Sequence, residues 1–62
     1  MNVMIGGTLM VENVPEKVKG ESGYMVVILD DAKLWYFGLY ETEEMANRAA
    51  SEGFNNRFVF KV

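Results

Sequence analysis

Apolar and polar positions fall into blocks along the chain, and the central block is the most regular. Tyr24 to Leu29 and Leu34 to Tyr40 are runs of aliphatic, β-branched and aromatic residues flanking the polar tetrad Asp30-Asp31-Ala32-Lys33. That composition predicts strand, tight turn, strand. A loop of two or of four residues places Leu29 opposite Leu34, and cross-strand pairing then sorts the side chains into two sets. Tyr24, Val26, Ile28, Trp35, Phe37 and Leu39 share one face; Met25, Val27, Leu29, Leu34, Tyr36 and Tyr40 share the other, with Gly38 among them. Both faces are apolar, whereas an antiparallel sheet with one wet side alternates apolar with polar.

The flanking blocks supply the other elements. A strand is predicted from about Thr8 to Val14, and Gly6-Gly7 before it marks a bulge, a bend or a place where another backbone comes close. Pro15 to Ser22 has no periodicity and alternates Lys17 and Lys19 with Glu16 and Glu21, which predicts a solvated, charge-compensated loop. Glu41 to Glu52 predicts the one helix: Thr42 suits the N-cap, Glu43 and Glu44 suit the positive end of the dipole, and Gly53 stands where a left-handed C-cap belongs. Its apolar stripe, Met45, Ala46, Ala49 and Ala50, is mostly small, so it lies close on a sheet but covers little of it. Asn56 to Val62 alternates again, with Phe58, Phe60 and Val62 on one side, and predicts a last strand. A strand entered through a helix normally runs parallel to the strand before it, which places this one at a sheet edge beside the first or third. The expected fold is α+β in the order β-β-β-α-β: a three-stranded antiparallel meander with one helix packed on a face and a C-terminal edge strand.

Length and charge bound what such a fold can do. The 62 residues make one domain, 1–62, and ordering them costs roughly 1.5 kcal/mol each, which burial in so small a body only narrowly offsets. Cysteine is absent, so neither disulfides nor thiolate metal sites add stability. Nine acidic against six basic residues give a net charge of −3, which favours protein partners over a phosphate backbone. The apolar runs are too short to span a bilayer and Met1-Asn2-Val3-Met4 lacks the basic region of a signal peptide, so the cytoplasm is the expected compartment.

Candidate chemistry is sparse. Histidine and cysteine are both missing, which removes the usual general base, thiol nucleophile and transition-metal ligands, and leaves Ser22 and Ser51 without an activating histidine. Asp30-Asp31 and Glu41, Glu43 and Glu44 are carboxylate pairs of the kind that acid/base catalysis or a hard cation needs. A turn and a helix N-terminus account for them without either role. Gly6-Gly7 lacks the following Lys-Ser/Thr and helix of a phosphate cradle. Tyr24, Trp35, Tyr36, Phe37, Tyr40, Phe54, Phe58 and Phe60 are numerous, but the hairpin carries only Lys33 of the cations that a base-stacking sheet interleaves. The expectation is no catalytic centre, no cofactor and no metal.

Residues 35–49 carry a resemblance. Phe37 or Tyr36, Gly38, Tyr40, Thr42, Glu44 and Ala46 fit the pattern aromatic-x-Gly-x-aromatic-x-Thr-x-Glu-x-Ala. This stretch resembles the strand-to-helix corner of the plant ethylene-response-type DNA-binding domain and its relatives in phage integrases. The resemblance implies a three-stranded sheet lying in the major groove with a helix behind it. Those families place Arg and Trp along the groove-facing strands, where Met25, Val27, Leu29 and Tyr36 stand here. The same residues are similar to one half of the peptidoglycan-binding sporulation-related repeat.

Two functions follow as expectations. One is a non-enzymatic protein-protein interaction module, of the kind that small acidic proteins of phages and mobile elements use to inhibit a host enzyme or defence complex. The alternative is a nucleic-acid-binding three-stranded sheet. With the helix over Val26, Ile28, Trp35, Phe37 and Leu39, the expected contact face is Met25, Val27, Leu29, Tyr36 and Tyr40, meeting a homodimer partner or a target. The competing arrangement has Met1 to Ile5 or the long loop folded over that face.

Overall fold

The computed structural model describes residues 1–53 and 56–62. Seven elements follow one another: β1 (Val3–Ile5), β2 (Leu9–Glu12), a 3-10 turn (Glu16–Val18), β3 (Tyr24–Asp30), β4 (Lys33–Tyr40), the helix α1 (Glu43–Ser51) and β5 (Asn56–Lys61). The five strands form one mixed sheet in the order β1-β2-β4-β3-β5. The α+β class holds, but the sheet is not a three-stranded meander. Among the described residues no helix is long and apolar enough to cross a membrane.

The central hairpin has the register that its composition predicts. Leu29 pairs with Leu34 and Asp30 with Lys33, which leaves Asp31 and Ala32 as a two-residue turn. Both have positive φ, 54° and 63°, as the twist-matched type I′ turn requires. An alanine in that region costs about 1 kcal/mol, which the strand pairing on either side offsets. Further along, Val26 pairs with Gly38 but Val27 with Tyr36, so Phe37 is an extra residue in β4 and forms a bulge. The bulge exchanges faces: Leu39 joins Met25 and the core on one side, and Tyr40 joins Tyr24 on the other.

The topology departs from expectation in three places, one in a local hairpin and two in pairing between distant strands, which depends on burial rather than on local composition. An additional strand, β1, pairs antiparallel with β2, with Val3 opposite Val11 and Ile5 opposite Leu9. Gly6 and Gly7 form the bend between them at φ of 61° and 74°, where a β-carbon would be strained. Next, β2 lies parallel to β4 rather than antiparallel to β3, with Val11 beside Leu34 and Glu12 beside Trp35. Finally, β5 is an edge strand that pairs antiparallel with β3, from Tyr24–Lys61 to Leu29–Asn56. It therefore runs parallel to β4, as expected of a strand entered through a helix, but with β3 between them.

The helix begins where the sequence places its cap. Thr42 Oγ1 accepts a hydrogen bond from the Met45 amide at 3.2 Å, and Glu43 and Glu44 fill the first turn. Its end differs from expectation: Glu52, at φ −82°, is the C-cap and donates its amide to the Arg48 carbonyl, and Gly53 is not left-handed. Gly53 leaves room for the Arg57 guanidinium instead, which a β-carbon there would push aside.

The core lies on the side of the sheet away from the helix. Val11, Val14, Met25 and Val27 are buried, and Val3, Ile5, Val18, Leu34, Tyr36, Leu39, Phe60 and Val62 pack around them. The connector after β2 thus closes the fold through Val14 and Val18. Met1 and Val14 exchange backbone hydrogen bonds, which clamps the start of β1 to that connector. On the opposite side Ala46 and Val26, both at 0% exposure, mark where helix and sheet meet.

Candidate interaction surface

The five residues expected to form one contact face are divided by the fold. Met25 and Val27 are 3% and 0% exposed and sit at the centre of the core, so together they present no open face to a partner. Leu29, next to the turn, is exposed, and Tyr36 is half-buried at the rim of the same core. Tyr40 has crossed to the helix side through the bulge and stands beside Met45, Arg48, Ala49 and Glu52. The arrangement with the N-terminal residues and the loop folded over Met25 and Val27 is the one observed. It wins because Val11, Val14 and Val18 supply branched apolar volume that the alanine-rich helix lacks.

Burial, and secondarily the nearby Tyr40 phenol, raises the Tyr36 phenol above its ordinary 10.0; hydrogen bonding to the Leu39 backbone pulls the other way. Tyr36 therefore stays protonated across the neutral range and acts as packing with a polar tip.

Accessible apolar surface lies on both sides of the sheet, with Leu9, Leu29 and Phe58 on the core side, and on the helix side it lies beyond the end of the sheet that α1 covers. Nine helical residues span only about 14 Å, and those facing the sheet are small. Trp35 and Phe37 are left 37% and 42% exposed. By alternation from the core-facing Val3, Val11 and Leu34, the paired residues Met4 and Met10 project from the same side of the sheet as Trp35.

These rings are held in place. The Trp35 indole Nε1 donates to the Asp30 carbonyl at 3.3 Å, so the ring lies back toward the turn with its polar atom satisfied. The Arg57 guanidinium stacks over Phe37 with Cζ 4.2 Å from the ring centroid and donates from Nη1 to the Ala49 carbonyl at 3.0 Å. This arginine joins β5, β4 and the last turn of α1, where a cation also complements the helix dipole. Its Nε is buried without a hydrogen-bond partner among the described residues. Glu12 and Asp30 flank the aromatics, opposite Trp35 and Lys33 in their respective strand pairs.

Comparison with protein-family models, with curated proteins and with solved structures finds no match. The carboxylates named in the sequence are dispersed: Asp30 and Asp31 shape the hairpin end, while Glu43 and Glu44 belong to the first turn of α1. Among the described residues no three of them gather as a metal site would require. Phe54, one of the aromatics named from the sequence, lies outside the described residues.

Arg57 is the residue that sequence reasoning passed over. A signal for it was present, since a long cation that alternates with Phe58 and Phe60 in a strand and stands four residues after a glycine has to find a partner. What hid it was the β4 bulge, which brings Phe37 beneath the guanidinium.

Proposed function

We propose that the chain is a non-enzymatic protein-interaction module whose contact surface is centred on Trp35 and Phe37. The observation that carries this reading is the exposure of two large rings in fixed positions, one anchored by Asp30 and the other stacked under Arg57. Trp and Arg are the residue types that contribute most to protein interfaces, and rings already held in place lose little conformational freedom on binding. The partner is either a second copy of the chain or a different protein, such as an enzyme that the module inhibits in the cytoplasm.

Two measurements test this. Sedimentation of the chain across a concentration series, with Trp35→Ala in parallel, reads self-association. Capture from cell lysate with the same pair reads a different partner, and the variant should lose it while keeping its circular dichroism. If the folded Trp35→Ala chain associates and captures as the parent does, this surface is not the interface.

A second reading has a specific observation behind it. Lys33 and Arg57 stand beside the two exposed rings, which is the composition of a platform for single-stranded nucleic acid. Glu12 and Asp30 among them, with the net charge of −3, weigh against it. Titration with mixed-sequence single-stranded DNA at rising salt decides: affinity that falls steeply with salt supports the platform, and no binding at low salt removes it.

A further inference from the structure

On the other side of the sheet, away from Trp35 and Phe37, a half-open groove of about 280 Å³ lies between β1 and the end of the connector. One bank is the consecutive run Val3 to Gly6, the other is Val18 to Glu21, and Val14 and Met25 line its apolar interior. Side chains of a strand alternate between faces, so a bank made of successive residues runs along the strand's backbone edge. None of the described residues of β2 lines it. The groove therefore follows the outer edge of β1, whose only strand partner among the described residues is β2, and half the backbone amides and carbonyls of such an edge point outward.

We propose that this groove takes an extended peptide segment of a partner protein. Its backbone pairs with β1, one large apolar side chain sits against Val14 and Met25, and a flanking carboxylate faces Lys19 and Lys61. Each part answers an observation. The outward amides and carbonyls of β1 offer a ladder of hydrogen bonds that another backbone can match and a lipid cannot. The volume is about twice that of an apolar cavity known to accept a benzene ring, which fits a leucine or phenylalanine side chain. The rim holds Lys19 and Lys61 against Glu21, a local excess of positive charge on a chain of net charge −3. A carboxylate beside the apolar anchor matches it. The site does not depend on the Trp35 surface, and the two fail separately.

The test uses the full chain, labelled with nitrogen-15, and an array of seven-residue peptides. The peptides alternate threonine with apolar residues, vary the central residue from Ala to Phe, and carry Asp or Lys at both flanks. Asp-flanked peptides with a central Leu or Phe are expected to bind and to shift the amides of Val3 to Gly6 and Val18 to Glu21, leaving those of Trp35 and Phe37 in place. Methylating alternate peptide amides, in both registers, should abolish binding in at least one. Lys19→Glu with Lys61→Glu alters two exposed side chains, so the variant keeps its fold, and it should turn the preference toward Lys flanks by roughly tenfold. The proposal is overturned if no peptide moves the groove amides, if shifts fall only on Trp35 and Phe37, or if methylation has no effect and decanoate competes. That last result would make the groove a site for apolar carboxylates.

Discussion

The two sides of the sheet are covered by opposite means. On one side a regular helix with a good cap and a clear apolar stripe leaves Trp35 and Phe37 partly in water; on the other an irregular connector with two valines completes the core. Regularity and coverage are therefore different properties. A helix contributes to burial through the size of the side chains it lays down, and Ala46, Ala49 and Ala50 offer little, whereas Val14 and Val18 bring branched volume to the centre of the opposite face. The rings of Trp35 and Phe37 border the solvent, and small branched residues with Met25 fill the dry core.

The largest effect should come from reversing the character of the dry side. Val27 is at 0% exposure, so Val27→Asp places an unpaired carboxylate in the core at a cost of several kcal/mol. A 62-residue domain has roughly 3 to 9 kcal/mol to lose, and the variant should lack the sheet signal in circular dichroism. Trp35→Ala, a larger truncation on the helix side, should stay folded. A folded Val27→Asp beside an unfolded Trp35→Ala would mean that the dry and wet sides are interchanged.

The helix side is tight at one point even though it is open elsewhere. Ala46 is fully buried above the sheet, and Ala46→Leu must push the helix away at a cost of about 1–3 kcal/mol. For a domain this small that corresponds to a melting temperature lower by roughly 5–20 °C. A rise would show that the helix seat is underpacked and that coverage there is limited by volume alone.

How much of this was legible follows the range of each interaction. The hairpin register, the Thr42 cap, the last edge strand and the seating of the helix over Val26 depend on residues close in sequence or on simple alternation. Leu29 opposite Leu34 needs nothing more than the turn between them. The parallel pairing of β2 with β4 and the closure by Val14 and Val18 depend on residues far apart, and two valines among charged neighbours have no period to announce them. The bulge at Phe37 is a single inserted residue, yet it moves Leu39 and Tyr40 to opposite sides from those that strict alternation assigns. Of the expected contact residues, Met25 and Val27 went astray with the closure and Tyr40 with the bulge.

Gly53 and Arg57 sharpen the comparison at the seam between helix and sheet. Gly53→Ala forces Arg57 aside, which breaks its hydrogen bond to the Ala49 carbonyl and its stacking on Phe37, together worth about 1–3 kcal/mol. With Arg57→Ala already present that obstacle is gone and the change removes a flexible glycine, so it should be neutral or stabilising by a few tenths of a kcal/mol. Equal costs in the two backgrounds, read from urea denaturation, would show that Gly53 is required by the backbone and not by Arg57.

The smallest effect separates the packing of Tyr36 from its charge. Its phenol is held above 10.0 in the folded chain, chiefly by burial and then by the Tyr40 phenol. Below pH 10.0 the group is protonated both folded and unfolded, so it adds no pH dependence. Above that value the unfolded chain releases the proton first, and stability falls as pH rises toward the folded value. Tyr36→Phe abolishes this loss and keeps the ring, so its melting temperature should decline less steeply than the parent's above pH 10.0, with the two curves parallel below. Tyr40→Phe should recover only part of the difference, because Tyr40 supplies the lesser cause. Identical alkaline slopes for Tyr36→Phe and the parent would mean that Tyr36 ionises as freely folded as unfolded, which would place its hydroxyl in water and reduce the covered side of the sheet to its valines and Met25.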